Sequence, residues 1–86
     1  GLISFLTAGP DEVRAWPIPD GSNAVDAAGA IHTDLARGFI RAETIGYEEL
    51  LALGSIAEGK KHGKVRSEGK TYRVQDGDVI EILFSR

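Results

Sequence analysis

The sequence predicts an α+β fold in which one helix crosses a mixed β-sheet of about four to five strands, accompanied by short helical segments. The chain opens with an apolar, strand-like segment, Leu2–Thr7, and closes with another, Val79–Phe84. Between them lies a stretch of apolar residues at helical spacing. The length of 86 residues fits one domain, 1–86, and leaves no room for two. This order suits a β-grasp sheet, in which the last strand pairs in parallel with the first at the sheet centre.

The first elements predicted are the two strands of a β-hairpin. Leu2–Thr7 is rich in Leu, Ile and Phe, as buried strands are, and Ala8–Asp11 contains the Gly and Pro of a turn. Glu12–Trp16 then alternates between apolar and polar residues. Pro17 and Pro19 cannot donate hydrogen bonds to a neighbouring strand, so the second strand ends there or lies at a sheet edge.

A helix is expected after the hairpin. Ser22 or Asn23 can cap its first turn, because the side-chain oxygen of either residue accepts a free backbone N–H. Gly38 lies past the helical segment. One face of this helix is formed by apolar residues at spacings of three, three and four: Val25, Ala28, Ile31 and Leu35.

The second half of the chain predicts short helices between strands. Ser55–Glu68 is polar, and we expect its first half to be helical and the rest to be a loop. Gly54 is typical of the residue that ends a helix, and Asp76-Gly77 is a strong hairpin-turn signal. The other elements are strands at Phe39–Ile45 and Thr71–Val74, a helix at Tyr47–Leu53, and the last strand, which is apolar on both faces and therefore expected to be central.

The composition is that of a folded domain with an apolar core. An apolar fraction of 42% and a charged fraction of 27% argue against wholesale disorder. There is no cysteine, which excludes a disulfide or a thiolate metal site within these residues. No apolar run approaches the ~18–20 residues that cross a bilayer. The residues expected to form the core are Ile3, Phe5, Val13, Val25, Ala28, Leu50, Val79 and Ile82.

Charge is unevenly distributed along the chain. Residues 60–73 contain six basic residues and one acidic residue, a net charge of +5, whereas the whole chain carries −3 and the rest therefore −8. This basic segment is a candidate for binding RNA or the ribosome, and its alternative is a solvated loop without a partner. The candidate residues are Lys60, Lys61, Lys64, Arg66, Lys70 and Arg73, with Arg37 and Arg41 contributing if the fold brings them near.

Two short motifs imitate functional sites. Gly69-Lys70-Thr71 resembles the end of a phosphate-binding P-loop, but five residues instead of four separate it from Gly63, and a strand, not a helix, is expected to follow. His32-Thr33-Asp34 could suggest a metal ligand set, yet the chain has only two histidines and zinc usually requires three or four ligands. We expect His32 to lie at a helix end, with Thr33 or Asp34 capping the turn that follows. No nucleophile, base and oxyanion site can be assembled from the sequence.

Three stretches of sequence resemble the TGS domain of YchF/Obg-like ATPases. The first runs from Leu2 to Gly9 and resumes at Asp11–Trp16. The second is Ala27–Asp34, running into Arg37–Glu43, and the third is Gly69–Ile80. The resemblance extends over essentially the whole chain, and two long stretches matching in the same order are specific to the family.

The resemblance implies properties that the residues alone do not show. TGS domains are ubiquitin-like β-grasp modules with regulatory or RNA-related roles. YchF-like proteins are cytoplasmic, associate with ribosomes and carry an N-terminal G domain that prefers ATP to GTP. By this resemblance the chain is a non-catalytic C-terminal fragment with no cofactor of its own, whereas ATP or GTP and Mg²⁺ bind the parent's G domain. His32, Thr33 and Asp34 become family-motif residues of unknown role.

Two hypotheses of function follow. In the first, the basic segment helps the parent protein engage the ribosome or ribosomal RNA. In the second, the domain docks on its own G domain and fixes the geometry of the parent, an idea suggested by Trp16, the acidic body and the stretch His32–Asp34. Packing inside the domain is the more ordinary role for Trp16. A catalytic role for the chain is not expected.

Overall fold

Five strands form one mixed sheet in the order β2-β1-β5-β3-β4. The structure is a computed structural model and describes residues 1–9 and 11–86. Its strands are β1 (Leu2–Ala8), β2 (Val13–Pro19), β3 (Phe39–Gly46), β4 (Arg66–Glu68) and β5 (Asp78–Phe84). Its helices are α1 (Ala24–Ile31), α2 (Thr33–Arg37), α3 (Tyr47–Leu53) and α4 (Ile56–Lys61).

The two terminal strands are neighbours at the sheet centre, as predicted. β1 and β5 run parallel, with Leu6 opposite Val79. β1 also pairs antiparallel with β2, and β3 pairs antiparallel with both β5 and β4. This connectivity, with α1 crossing between the hairpin and β3, is a β-grasp-like arrangement. β2 is an edge strand, which accommodates Pro17 and Pro19 because an edge strand leaves one row of N–H groups unpaired.

The main core lies between the sheet and α1. Asn23 caps this helix reciprocally with Asp26, so that each side chain accepts the other residue's backbone N–H at 2.9–3.0 Å. Phe5 is fully buried and stacks on Trp16, with ring centroids 6.4 Å apart. The buried apolar residues of this cluster are Phe5, Ile18, Ala24, Ala27, Ala28, Phe39, Ala42, Val74 and Ile80, and Ile3, Val25 and Ile82 pack against them.

The predicted long helix is divided into two. α1 ends at Ile31 because His32 is extended, with φ −166° and ψ 142°, and α2 restarts at Thr33. Leu35 therefore packs against the core from a second helix instead of extending the face of the first. Gly38 lies just past α2, as expected.

α3 and α4 are on the opposite side of the sheet from α1. α3 occupies Tyr47–Leu53 as predicted, and Gly54 ends it in the left-handed conformation with φ +92°. α4 approaches β3 closely at Gly59, where an added Cβ would lie 2.8 Å from the Cδ1 of Ile45. This close approach fixes where the lysines at the end of α4 sit relative to the sheet.

Three predictions for residues 66–77 were wrong. The segment expected to be a loop contains β4, which pairs Arg66–Glu68 with Ala42–Thr44 in the middle of β3. The strand expected at Thr71–Val74 is absent from the described residues, where only an isolated bridge joins Arg73 to Asn23. Gly77 does adopt a positive φ of 86° in a turn, but that turn leads into β5 and not between two hairpin strands.

The prediction that Val13 belongs to the core was wrong, because the hairpin turns its other face toward α1. Trp16 and Ile18 point toward α1. Side chains alternate between the two faces of a strand, so Val13 points away from α1 and is 53% exposed. Leu50 is half-buried and does not belong to the main core cluster. The predicted turn at Ala8–Asp11 includes Pro10, which lies outside the described residues.

Candidate functional site

The basic segment, residues 60–73, is arranged around the edge strand β4. Lys60 and Lys61 end α4, and Lys64 follows in the connection to β4. Lys70 lies on the other side of the sheet, beside the first turn of α1, where its carbonyl accepts the Val25 N–H at 3.4 Å. The segment therefore presents positive charge on two sides of one sheet edge.

Three cations of this segment are already engaged with carboxylates. Lys61 pairs with Glu58 at 3.2 Å, and Arg73 with Asp20 at 3.3 Å. Arg66 lies 3.4 Å from the Glu68 carboxylate and 3.7 Å from that of Asp78. Such surface pairs contribute only ~0–1 kcal/mol each to stability, but they reduce the charge that a partner meets.

The other three cations are lysines without an ion pair in the described part of the chain: Lys60, Lys64 and Lys70. All three are exposed. A mobile ammonium group on a long aliphatic stem suits contact with a phosphate as a point charge, without the fixed geometry of arginine. These lysines are the part of the candidate site that is open to a polyanion.

A hydrogen-bonded network holds the segment against the sheet. The Tyr72 hydroxyl donates to the buried carboxylate of Asp78 at 2.6 Å and accepts from Arg66 Nη2 at 3.0 Å. Asp78 also accepts the Gln75 backbone N–H at 2.9 Å. Burial, followed by the hydrogen bond and charge of Asp78, raises the pKa of Tyr72 to about 12, and the Arg66 cation opposes this. Tyr72 and Arg66 are thus committed to structure.

Arg37 and Arg41 are placed differently from each other. Arg37 precedes the start of β3 and lines a depression with Ser85 at the end of β5, whereas β4 pairs with Ala42–Thr44 in the middle of β3. Arg41 is next to the β3–β4 pairing, but its Nε lies 3.5 Å from the Glu43 carboxylate. Arg37 therefore lies outside the part of β3 that pairs with β4, and Arg41 is adjacent to that part but paired with Glu43.

The stretch His32–Asp34 forms the junction of α1 and α2. The residue that caps α2 is His32 itself, instead of Thr33 or Asp34, because its Nδ1 accepts the Asp34 backbone N–H at 3.0 Å. Nδ1 cannot carry a proton while it accepts that bond, so its 3.7 Å approach to the Asp34 carboxylate is not an ion pair in this state. These residues have a visible structural role.

The P-loop-like residues do not adopt the required arrangement. β4 occurs between Gly63 and Gly69, and a turn with a hydrogen bond from Tyr72 N to Gly69 O follows, not a helix. Within residues 1–9 and 11–86, no group of three or more His, Cys, Asp or Glu side chains could hold a metal ion. In the same part of the chain, no helix has the length and apolar character that spanning a membrane requires.

A second surface was missed by the sequence analysis. The alternate residues of β1 and β2 that face away from α1 are almost all apolar, and the structure leaves most of them exposed. The sequence does indicate this surface, because every second residue from Val13 onward is apolar: Val13, Ala15, Pro17 and Pro19. It was overlooked because Val13 was assigned to the core.

The fold and the site define a small α+β domain of β-grasp-like type with exposed lysines on two sides of one sheet edge. The chain belongs to the YchF/Obg-like ATPase family. The family model YchF-GTPase_C, described as a protein of unknown function (DUF933), matches residues 2–85.

Similar proteins extend well beyond this domain. The ribosome-binding ATPase YchF of Bacillus subtilis is 58% identical over 99% of this chain, which covers 23% of that protein. Obg-like ATPase 1 of Oryza sativa subsp. japonica is 55% identical over 98% of this chain and 21% of its own length. The solved YchF GTPase of Schizosaccharomyces pombe is 36% identical, with a TM-score of 0.88 over 95% of this chain and 22% of that one. The chain thus spans less than a quarter of each of these relatives.

Proposed function

We propose that this chain is the TGS domain of a YchF-like ribosome-associated ATPase and that it contributes a contact with ribosomal RNA. The observation that carries the proposal is the set of three exposed lysines around one sheet edge that have no ion pair within the described residues, Lys60, Lys64 and Lys70, in a family whose relatives include a ribosome-binding ATPase. The contact takes place in the cytoplasm, where ribosomes are found.

The contact is electrostatic and sequence-independent. Outside residues 60–73 the chain carries −8, so phosphate is repelled unless the lysine-bearing edge faces it. The aromatic residue of the segment, Tyr72, is engaged through its hydroxyl, and the Arg66 guanidinium lies 5.8 Å from its ring centroid. The segment therefore offers no free aromatic ring on which an RNA base could stack, and it recognises the phosphate backbone and the shape of the RNA.

Nucleotide chemistry belongs to the rest of the parent protein in this proposal. Residues 63–71 lack the strand–loop–helix arrangement that binds phosphates. The domain acts without catalysis and without a cofactor of its own, and ATP or GTP with Mg²⁺ binds the G domain.

Charge reversal of the three lysines tests the proposal. The triple variant Lys60→Glu, Lys64→Glu and Lys70→Glu in the full-length protein is expected to lose most of its co-sedimentation with ribosomes. The fold should survive, since exposed surface substitutions usually change stability by no more than ~0.5 kcal/mol each. Circular dichroism and urea unfolding of the same variant verify this.

A matched variant controls for net charge. Arg14→Glu, Arg37→Glu and Arg86→Glu reverse three exposed cations outside the basic segment and change the total charge equally. Ribosome association should fall much less in this control than in the lysine variant. Equal losses would mean that only net charge matters, and an unchanged lysine variant would identify the segment as a solvated loop.

A second candidate function is docking on the parent's own G domain. Trp16, one of the residues that suggested it, is not available for this, because it stacks on Phe5 and its Nε1 donates to the Thr7 hydroxyl at 2.9 Å. The observation that favours docking is instead the exposed apolar face of the β1–β2 hairpin.

A further inference from the structure

The two edges of the sheet differ in what they offer a partner. Among the described residues β4 pairs with β3 alone, so the row of backbone N–H and C=O groups on its other side is open. β2, at the opposite edge, contains Pro17 and Pro19, which have no N–H, and the acidic residues Asp11 and Glu12 precede it. The β4 edge is therefore the better suited of the two to hydrogen bond to an anionic partner.

The three lysines of the proposed RNA contact lie on both sides of the β4 edge. Lys60 is in the last turn of α4, and Lys64 stays close to that turn because its backbone N–H donates to the Gly59 carbonyl at 2.8 Å. Lys70 is on the α1 side of the sheet, where its carbonyl accepts the Val25 N–H at 3.4 Å. The lysines thus flank β4 and do not form one row along a single face.

The carboxylates next to this edge are offset by cations. Three of them, one each on α4, β3 and β4, lie within 3.5 Å of a basic side chain. The pairs are Glu58 with Lys61, Glu43 with Arg41, and Glu68 with Arg66. A polyanion that approaches β4 therefore meets the charge of the three lysines without strong repulsion from these acids.

A ligand that contacts all three lysines needs phosphates on both sides of β4. A single RNA strand presents one row of phosphates, which follows either the α4 side or the α1 side of the edge. The two strands that border a groove of a double helix present two rows, with the groove between them. The placement of the lysines therefore favours a duplex with β4 lying over a groove.

The open backbone groups of β4 favour the minor groove of RNA. In an A-form duplex the major groove is deep and narrow, whereas the minor groove is wide and shallow and displays the ribose 2′-hydroxyls. A 2′-hydroxyl both donates and accepts hydrogen bonds, which matches the alternating N–H and C=O groups of a strand edge. Ser67, exposed in the middle of β4, adds a hydroxyl with the same capacity.

We propose that β4 and its flanking lysines bind the minor groove of an A-form RNA duplex. The backbone of β4 and the Ser67 hydroxyl face the ribose hydroxyls, and the lysines contact phosphates of both strands. This inference rests on the proposed RNA contact and narrows its ligand to double-stranded RNA.

NMR titration of the isotope-labelled 86-residue chain at low salt tests this inference. The three probes are an RNA duplex of about 16 base pairs, the DNA duplex of the same sequence, and an unstructured RNA strand of the same length. Lys64→Gln and Lys70→Gln each remove one charge, on opposite sides of β4. Arg14→Gln removes one charge from the other edge strand and is the matched control. Circular dichroism verifies the fold of each variant.

The RNA duplex should bind about threefold or more tightly than either other probe, because the DNA lacks 2′-hydroxyls and the single strand lacks a second row of phosphates. Its amide shifts should centre on Arg66–Glu68. Lys64→Gln and Lys70→Gln should each weaken duplex binding about threefold and reduce the salt slope by about one, whereas Arg14→Gln should change the affinity by less than about twofold.

Two results would overturn this inference alone, provided that the wild-type chain still pellets with ribosomes. One is equal affinity for the three probes, and the other is duplex binding that depends on only one of Lys64 and Lys70. A wild-type chain that neither pellets with ribosomes nor binds the RNA duplex would overturn the proposed function and this inference together.

Discussion

Removal of one hydroxyl, in Tyr72→Phe, tests how the basic segment is held to the sheet. The hydroxyl donates to Asp78 at 2.6 Å and accepts from Arg66 at 3.0 Å, so both bonds are lost together. Asp78, whose side chain is only 7% exposed, then retains the Gln75 N–H and a 3.7 Å approach of Arg66. The carboxylate is left with fewer hydrogen bonds than it has in the native domain.

The expected cost follows from the type of hydrogen bond. A hydrogen bond to a charged group contributes ~1.5–3 kcal/mol to stability. Tyr72 is half-buried, which allows water to replace part of the lost interaction, so we expect the lower part of that range, ~1.5–2 kcal/mol at pH 7. That loss is large for a domain of this size, whose total stability is on the order of 5–10 kcal/mol.

The pH dependence gives the same prediction an independent test. Burial and Asp78 raise the pKa of Tyr72 from 10.0 to about 12 in the folded state. A group whose pKa is raised by folding stabilises the fold fully below its unfolded pKa and loses that contribution as the pH rises through the folded one. The stabilisation from Tyr72 should therefore be constant below pH 10 and disappear between about pH 10 and 12.

Urea unfolding of the wild type, Tyr72→Phe and Tyr47→Phe at pH values from 7 to 12 measures both effects. Tyr47 is the other tyrosine, is 40% exposed and serves as the matched control. The free-energy difference between wild type and Tyr72→Phe should shrink as the pH rises from 10 to 12, whereas Tyr47→Phe should lie close to the wild type at neutral pH. A Tyr72→Phe variant as stable as the wild type at pH 7 would refute the role assigned to this network.

Two further predictions concern the core and nucleotide binding. Phe5→Ala should lower the free energy of unfolding by ~3–5 kcal/mol in urea unfolding, because Phe5 is fully buried. Val13→Ala should lower it by less than ~0.5 kcal/mol in the isolated domain, because Val13 is exposed on the side of the hairpin that faces away from α1. Similar costs for both substitutions would contradict the assignment of the two hairpin faces. Calorimetric titration of the isolated domain with ATP or GTP should show no binding, and micromolar affinity would overturn the interpretation of residues 63–71.

The sheet centre could be predicted from the sequence because it depends on local apolar content. β1 and β5 are the two most apolar strands, and a strand that is apolar on both faces must be covered on both. The orientation of the hairpin could not be predicted in the same way. Both faces of β2 contain apolar residues. Trp16 faces α1 because it stacks on Phe5 of the neighbouring strand. That contact depends on register, which the spacing of β2 alone does not determine.

β4 was missed because its sequence has no strand signal of its own. Arg66-Ser67-Glu68 is polar, and it becomes a strand by pairing with β3. The reverse error, at Thr71–Val74, arose because Tyr72 and Val74 have high β propensity, yet they turn inward to the core and to Asp78. Tertiary contacts decided both segments.

The sequence identified the basic segment but could not show which cations are open. Arg73 meets Asp20, which is 53 residues earlier in the chain, and Arg66 meets Asp78 across the sheet edge. These partners depend on the fold and are invisible in the local charge pattern. The six candidates of the segment thereby divide into three paired cations and three lysines without ion pairs in the described residues.

Co-sedimentation of the isolated domain with ribosomes across a salt series tests the central claim most directly. Three phosphate contacts, from Lys60, Lys64 and Lys70, predict weak binding whose logarithm falls with the logarithm of salt concentration at a slope of about −2 to −3. The triple lysine variant should bind too weakly to give a measurable slope, whereas the matched arginine variant should retain the wild-type slope. A wild-type domain that does not pellet even at low salt, or that pellets with a slope the lysine variant shares, would contradict the assignment of this sheet edge as a ribosome contact.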